Sequence, residues 1–423
     1  MKLTQRDQAH IWHPLTQHQT ARAPVGIVKA SGSVLIDEHG NSYIDGIASW
    51  YTAMFGHCNP YITQAMTKQM QTLDFVMFSG FTHEPAIELS EKLVAILPPN
   101  QQKVFFNDNG STAVEAAIKM AIQYYHNKSQ KRDTLIAFED GFHGDTFGAM
   151  SASGLSSYNG PFEDFLLKVK RIPTPQAHNL EEVLALLTTI LEQNSCAGFI
   201  FEPLVQGAAG MKFHCAKGLD ALIAKCKAHD VLCIADEIMT GFGKTGTNFA
   251  VEQLQQPPDI MCLSKALTAG MFPLSITSCT KEIFDGFLSH QVHKGFFHAH
   301  TYSAHPVGCA AAIASIVLLT SPEILKKRAY IAGAHSVFAE KIQRHPAVKQ
   351  VRCKGVILAI DLAIEMQRYG NLRDELYQFF MDRGVALRPL GNTLYVLPPY
   401  VITNQELDTI YSAIEEALTH YNN

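Results

Sequence analysis

Between about residues 60 and 305, short apolar runs of four to six residues alternate with longer segments whose apolar positions recur at helical spacing. Runs that are apolar on both faces are typical of strands buried in a parallel sheet, and the longer segments are typical of the helices that cover it. Their alternation predicts βαβ units. The clearest runs are 103–106, 134–138, 198–201 and 231–235. The pattern therefore predicts an α/β fold with a mainly parallel central sheet covered by helices.

The two ends of the chain follow a different pattern. Alternating apolar residues in 33–37 and 42–45, joined by a turn with Gly40 and Asn41, predict a β-hairpin. The apolar segment 307–319 predicts a buried helix, and strand-like runs at 355–361 and 393–397 precede a closing helix from about Asn404. We therefore expect a large domain at residues 56–315 and a smaller α+β domain at 316–423, with residues 1–55 packing against the smaller one.

Composition and charge exclude several classes of function. A net charge of −5 and a pI near 6.4 provide no basic surface for nucleic acid. The longest smooth apolar stretch, 13 residues, is too short to span a bilayer, and the first residues lack the apolar core of a secretory signal. The nine cysteines include no C-x-x-C pairs at zinc spacing, which is typical of reduced cysteines. We expect a cytoplasmic protein without nucleic-acid or membrane partners.

Two charged residues each follow a buried, strand-like run. Lys265 ends the run that begins near Pro258, and Asp236 ends the run 231–235, 29 positions upstream. At the ends of buried strands, the two side chains could face one pocket. Such a pair suits pyridoxal phosphate, because a desolvated lysine amine attacks the aldehyde and an aspartate holds the pyridinium nitrogen protonated. The neighbouring Glu237 leaves open which carboxylate points inward.

A candidate phosphate site lies where a strand gives way to a helix near residue 110. Gly110 allows a tight turn, so that backbone amides near Ser111 can point at an anion at the positive end of the helix dipole. Thr112 and Glu115 have the spacing of a capping box. An ordinary capped helix without a phosphate explains the same segment.

Two further candidates are weaker when each is taken singly. Phe142 lies between two glycines at a strand end and could stack on a planar cofactor, although a core phenylalanine in a turn is the commoner case. Arg388 precedes an apolar strand and could bind a carboxylate with both arms of its guanidinium, or form a surface ion pair.

Histidine and aspartate pairs could suggest a metal, but neither pair has a third ligand at suitable spacing. We therefore predict no metal site at His143 with Asp145 or at His298 with His300.

Taken together, these segments resemble the class III aminotransferases of pyridoxal-phosphate fold type I, over nearly the whole chain from about His10. The family motifs are Phe-Glu-Pro at 201–203, the Ala-Asp-Glu to Thr-Gly segment at 235–246, and Lys265. A finer similarity to the biotin-synthesis branch of that family rests on segments 12–14, 49–51, 110–111, 142–151, 205–208, 388–389 and 397–400. The resemblance implies a fold type I transferase in which the large domain binds pyridoxal phosphate.

The resemblance also implies a role for each matching residue. Lys265 would carry the cofactor and move the proton, while Asp236 would pair with the ring nitrogen and Phe142 would stack on the ring. The phosphate would be held by Gly110 and Ser111, together with His300 and Thr301 from the second subunit of a homodimer. The residues implied at the substrate, besides Lys265 and Phe142, are Trp50, Ala299, Arg388, Tyr395, Leu15 and Asp145.

The implied reaction transfers an amino group to the small-molecule substrate 7-keto-8-aminopelargonate, whose carboxylate Arg388 would bind. S-adenosylmethionine is the implied donor, with lysine, or another class III ω-amino acid transamination, as the alternative. Ala208 stands where relatives that use glutamate usually carry an acidic residue, which favours the biotin-synthesis pattern.

Four positions depart from the usual family pattern. Leu15 and Phe142 stand in place of tyrosines and remove two hydroxyls expected near the donor; Lys244 replaces an arginine and Ser264 a glycine. None of them alters the chemistry of Lys265 and Asp236, but they leave the donor open.

Two other classes of protein are weaker alternatives. A binding protein for pyridoxal phosphate without turnover would not need the lysine and aspartate pair intact. A nicotinamide-dependent dehydrogenase would need a G-x-G-x-x-G motif directly after its first strand, and none lies at that position.

Overall fold

The computed structural model describes residues 3–154, 156, 159–364, 366 and 370–421. The strands within these ranges are β1 (Ile27–Ser31), β2 (Val34–Asp37), β3 (Ser42–Asp45), β4 (Gln101–Asn107), β5 (Thr134–Phe138), β6 (Val169–Ile172), β7 (Cys196–Phe201), β8 (Val205–Gln206), β9 (Lys212–Phe213), β10 (Leu232–Asp236), β11 (Ile260–Leu263), β12 (Ser275–Thr280), β13 (Val348–Lys354), β14 (Ile357–Leu362), β15 (Val385–Ala386) and β16 (Thr393–Val396).

Helices precede, separate and follow these strands. They are α1 (Leu3–His10), α2 (Ala48–Tyr51), α3 (Pro60–Thr72), α4 (Glu84–Ile96), α5 (Gly110–Asn127), α6 (Phe147–Ala152), α7 (Leu180–Gln193), α8 (Ala216–Ala228), α9 (Lys281–Asp285), α10 (Pro306–Leu319), α11 (Pro322–Ile342), α12 (Asn371–Met381) and α13 (Asn404–His420). Short 3₁₀ segments lie at Gly160–Phe165, Ala250–Gln253, Lys265–Thr268 and Val292–Lys294.

The central sheet has seven strands in the order β4-β12-β11-β10-β7-β5-β6. Neighbouring strands from β11 to β6 pair in parallel, whereas β12 is antiparallel to both β11 and β4. Every residue of β5, β7 and β11 is buried, as expected for strands covered on both faces. The α/β fold with a mainly parallel, helix-covered sheet is therefore confirmed.

Helix α10 packs on α3 and α4, and most of its side chains are buried. Its sequence is apolar all round because it has almost no solvent face. The buried helix predicted at 307–319 is confirmed, as is the closing helix from Asn404.

The two ends of the chain meet in one small sheet. The predicted hairpin is present, with Val34 opposite Ile44 in antiparallel register. Strand β15, far along the chain, adds to β3 in parallel and places Ala386 beside Asp45. A separate antiparallel sheet, β13-β14-β16, carries Tyr395 on its last strand.

Among the described residues, no single helix is long and apolar enough to cross a membrane; by length and composition alone, the bent pair of α10 and α11 meets that requirement jointly. The described part of the chain contains no cluster of three or more side chains that could hold a metal ion.

Candidate active site

Lys265 and Asp236 lie at the same edge of the central sheet. Asp236 is the last residue of β10 and pairs with Cys262 of the parallel strand β11, three residues before Lys265. Burial lowers the pKa of the Lys265 amine, and the negative charges of Asp236 and Glu202 oppose this shift. Folding therefore favours the neutral, nucleophilic amine, with carboxylates close enough to influence its charge.

Of the two neighbouring carboxylates, Asp236 is the one directed to this site. Its Oδ2 lies 2.7 Å from His143 Nδ1, and its Oδ1 accepts a hydrogen bond of 3.0 Å from the Ile238 amide. Glu237 points elsewhere, since its carboxylate accepts bonds from Thr240 Oγ1 and from the Val251 amide. The question that the sequence left open is thus answered in favour of Asp236, whose lone pairs can accept one more donor.

Glu202 is a second buried carboxylate beside this pair. Its Oε2 accepts a bond of 3.1 Å from the Phe142 amide, and its Oε1 one of 2.9 Å from the Gly207 amide. Burial raises its pKa to about 7; His143 opposes the shift and Asp236 adds to it. Glu202 thereby joins the segment that carries Phe142 to the segment that follows β8. Sequence reasoning noted its Phe-Glu-Pro motif without assigning it a role.

The start of α5 is built as an anion site would require. This 18-residue helix begins at Gly110, where an added Cβ would come within 3.1 Å of the Ile238 side chain. Ser111 Oγ accepts a bond of 3.3 Å from the Asp145 amide. Gly144, at φ +130°, approaches Ser111 so closely that a Cβ would lie 2.1 Å from its Oγ. Small residues therefore bring two backbone segments together at the positive end of the helix dipole.

The capping box predicted at Thr112 and Glu115 is wrong in register. Asn109 is the cap: its Oδ1 accepts a bond from the Thr112 amide, and the Asn109 amide donates to Thr112 Oγ1. Glu115 instead accepts bonds from the amides of Gly148 and Ala149 at the start of α6. Because the carboxylate of Glu115 accepts these bonds from α6, it does not cap the start of its own helix, α5.

Aromatic side chains connect the lysine to the C-terminal part of the chain. Lys265 Nζ lies 5.2 Å from the centre of the Tyr51 ring, and that ring is 5.7 Å from the ring of Tyr395. The Arg388 guanidinium lies 4.9 Å from the Trp50 ring. The structure thus brings together predicted residues from the two ends of the sequence.

The remaining predicted residues have fewer contacts that relate them to the candidate site. Leu15, Ala299 and Thr301 are exposed, and in the described residues no hydrogen bond, ion pair or ring contact joins them to Lys265. His300 Nδ1 lies 3.9 Å from Asp108 of the same chain, and its Nε2 is 3.1 Å from His298 Nε2. The roles predicted for these residues stay predictions.

The residues present fit pyridoxal phosphate. The chain offers a desolvated amine, a carboxylate with spare lone pairs, an aromatic residue, Phe142, that is 42% exposed, and a glycine-lined helix start. Within the described residues, Nε2 of His143 and both amide atoms of Gln206 are buried without a hydrogen-bond partner. Gln206 precedes the glycine that donates to Glu202. Because buried polar groups need partners, a polar ligand or water suits this region. No pattern in the sequence indicates that Gln206 has no hydrogen-bond partner among the described residues.

Known proteins resemble this chain over nearly its full length. Residues 16–418 match the family aminotransferase class-III. The chain is 44% identical over 97% of its length to the adenosylmethionine-8-amino-7-oxononanoate aminotransferase of Synechococcus elongatus, covering 98% of that protein.

Solved structures are similar over nearly the full length as well. The crystal structure of the aminotransferase of the same name from Methanocaldococcus jannaschii superposes with a TM-score of 0.92 at 33% identity, over 98% of both chains. An amine transaminase from an uncultivated Pseudomonas species, in its PLP-bound form, gives 0.90 at 27% identity, over 97% of this chain and 98% of that one. The chain therefore belongs to the class III aminotransferase family.

Proposed function

We propose that the protein is the pyridoxal-phosphate-dependent aminotransferase of biotin synthesis that converts 7-keto-8-aminopelargonate to 7,8-diaminopelargonate, with S-adenosylmethionine as amino donor. The observation that carries the proposal is the full-length similarity to enzymes named for this reaction, at 44% identity in one case. The pairing of Arg388 with Trp50 near Lys265 supports it, because the keto substrate carries a carboxylate.

When bound, pyridoxal phosphate would withdraw electrons from the substrate carbon and carry the amino group from donor to acceptor. The chain's own residues would orient the reactants and move the proton. Lys265 Nζ, freed by the substrate amine, would transfer the proton to and from the substrate carbon. Asp236 would hold the ring nitrogen protonated, Phe142 would stack on the ring, and Gly110 and Ser111 would hold the phosphate.

On the substrate side, Arg388 would bind the carboxylate of the keto acid. Trp50, Tyr395, Ala299 and Asp145 would line the space between that carboxylate and Lys265. Leu15 and Phe142 would lie near the donor, where hydroxyl groups are usual in the family.

We infer further that the active unit is a homodimer, with His300 and Thr301 of each chain completing the phosphate site of the other. Exposure of Thr301 within a single chain leaves it accessible to a partner. The protein would work in the cytoplasm on small-molecule substrates, with residues 56–315 as the cofactor domain, 316–423 as the smaller domain, and 1–55 packing against the latter.

The reaction can be tested directly. Purified protein with pyridoxal phosphate and 7-keto-8-aminopelargonate is given S-adenosylmethionine or lysine separately, and diaminopelargonate is measured by mass spectrometry. We expect product with S-adenosylmethionine. Product with lysine alone would overturn the donor and leave the reaction in place. No product with either donor, from protein shown by absorbance to hold the cofactor, would overturn the proposed substrate.

Two variants test whether the hydroxyl groups absent at Leu15 and Phe142 affect binding of the amino donor. Leu15→Tyr and Phe142→Tyr restore the usual residues one at a time. If S-adenosylmethionine is the donor, we expect either change to lower its KM while the KM of the keto substrate stays the same.

A further inference from the structure

The segment that carries Trp50 is a left-handed helical turn. Residues Ala48, Ser49, Trp50 and Tyr51 have φ values of 47°, 43°, 64° and 69°, and ψ is 62° at Ser49 and 46° at Trp50. Residues with a β-carbon adopt this conformation singly and rarely, because the β-carbon crowds the following carbonyl oxygen. Four in succession, none of them glycine, need something outside the turn to hold them.

A buried carboxylate at the end of β3 holds this turn. Asp45, 1% exposed, accepts bonds from Ser49 Oγ at 2.8 Å and from the Ile47 amide at 3.2 Å. Its Oδ2 also lies 2.8 Å from His57 Nε2. The turn is thus tied at its start and its middle to a single side chain.

His57 fixes the carboxylate from the far side of the turn. Its backbone exchanges two hydrogen bonds with Gly32, at 2.7 Å and 3.2 Å, so its ring is anchored independently of the turn. Its side chain is 15% exposed and that of Asp45 2%, so their bond is largely shielded from water.

The turn carries two side chains on the substrate side of the candidate site. Trp50 contacts the Arg388 guanidinium, and Tyr51 lies between Lys265 and Tyr395. If the turn relaxed to right-handed backbone, both rings would leave these positions, since the direction of each Cα–Cβ bond would change.

We propose that Asp45 and His57 are positioning residues, which hold the strained turn and thereby place Trp50 and Tyr51 against Arg388 and Lys265 for substrate recognition. The part that concerns substrate rests on the proposed function. The part that concerns the turn rests on this chain's own geometry and can be tested without any substrate.

The chain offers a specific optical probe of the turn. It has two tryptophans, Trp12 and Trp50, and Trp12 is 89% exposed. In a Trp12→Phe background, the fluorescence of Trp50 therefore reports the turn alone. Acrylamide quenching measures its exposure and anisotropy its mobility, with pyridoxal phosphate absent or present.

Four changes in that background test the proposal. Asp45→Asn and His57→Leu weaken or remove the clamp, which is the hydrogen-bonded pair of Asp45 and His57 that holds the turn. His57→Gln keeps an amide donor close to the position of Nε2. Asp37→Asn is the matched control: Asp37 is a buried carboxylate of the same small sheet that accepts bonds from His39, Asn41 and Tyr43 but does not contact the turn.

We expect Asp45→Asn and His57→Leu to increase quenching and mobility of Trp50, while pyridoxal phosphate still binds and folding persists by circular dichroism. The KM for the keto acid should rise about 10- to 100-fold, the range expected when a hydrogen bond to a charged group is lost, with a smaller change in kcat. His57→Gln should restore most of the wild-type Trp50 fluorescence and of the KM for the keto acid. Asp37→Asn should leave both unchanged from wild type.

Unchanged Trp50 fluorescence in folded Asp45→Asn and His57→Leu would overturn the clamp. Equal effects of Asp37→Asn would do the same, because they would show general destabilisation of the sheet. If the clamp variants alter fluorescence but the wild-type protein does not aminate the keto acid, the proposed function fails and the clamp stands.

Discussion

Lys265 shares the interior of the protein with another lysine, Lys244, whose amine is fully buried and donates to the Gly241 carbonyl at 3.0 Å. Burial lowers the pKa of both amines, so desolvation alone does not identify the reactive one. The neighbouring charges differ between them. Asp236 and Glu202 raise the pKa of Lys265, whereas Lys265 itself lowers the pKa of Lys244 and Glu237 raises it.

We therefore expect borohydride reduction of the cofactor-loaded protein to label Lys265. Lys265→Ala should lose the label and at least about 10²–10⁴-fold in turnover, the usual contribution of a positioned proton-transfer group. Lys244→Arg, the matched control, should keep both the label on Lys265 and the turnover. Peptide mass spectrometry after reduction locates the label, and a label on Lys244 would contradict the assignment.

Two buried glutamates make stability depend on pH. Burial raises the pKa of Glu202 and of Glu237 to about 7 from the ordinary 4.5. Between these values the folded state binds more protons than the unfolded state, so the free energy of unfolding falls as pH rises from about 4.5 to about 7. Each group contributes on the order of 3 kcal/mol at most to this loss.

Urea unfolding of the protein without cofactor at pH 5, 6, 7 and 8 measures the effect. Glu202→Gln and Glu237→Gln mimic the protonated side chains, so each should remove about half of the loss that the two glutamates produce. The same pH dependence in the double variant as in wild type would show that neither carboxyl titrates in this range.

Sequence alone singled out Lys265 and Asp236 as candidates because each ends an apolar run, a signal that is local in the chain. It did not identify the roles of Glu202 and His143, whose partners lie 60 and 93 residues away. Nor could it identify that Gln206 has no hydrogen-bond partner among the described residues, since that is a property of everything packed nearby.

At the scale of elements, the start of α5 is the part with a direct thermodynamic prediction. Asn109→Ala removes the cap and should lower the free energy of unfolding by about 1 kcal/mol. It should also weaken binding of pyridoxal phosphate, since the same helix start faces the proposed phosphate site. Urea unfolding and titration of cofactor absorbance measure the two effects.

The matched control is Thr403→Ala at α13, where Thr403 forms the same kind of capping box with Glu406. Thr403→Ala should lower the free energy of unfolding by a similar amount without changing the affinity for the cofactor. If both variants weaken cofactor binding equally, the cap of α5 has no specific role in it.

Helices and strands were predictable where an apolar run extends over a whole element, as in α10 and the central strands. The capping box was misplaced because Thr112 and Glu115 have suitable spacing, but Glu115 finds donors on α6 instead. The left-handed turn at Ala48–Tyr51 had no sequence signal, because none of its residues is glycine, the usual marker of positive φ.

For the whole molecule, the proposed homodimer predicts complementation between two inactive chains. Lys265→Ala keeps Thr301, and Thr301→Ala keeps Lys265. If each site uses Lys265 from one chain and Thr301 from the other, a mixed dimer contains one intact site. Chains unfolded and refolded together in equal amounts should recover about a quarter of wild-type activity, as expected for random pairing in a two-fold symmetric dimer.

This experiment requires that Thr301→Ala alone be strongly impaired. The two variants refolded separately and then mixed serve as the control, since their chains do not exchange unless the dimers dissociate. No recovery after joint refolding, with dimers present by size-exclusion chromatography, would place both residues of each site on one chain.

The pairing of β15 with β3 has a consequence for how the protein is made. Ile44 pairs with Val385, so the small sheet that carries the Trp50 turn lacks its last strand until residue 386 has left the ribosome. At synthesis rates of about 5–20 residues per second, the N-terminal hairpin waits on the order of half a minute for that strand. During that wait it presents an unpaired strand edge, so we expect newly made chains to depend on chaperones until β15 arrives.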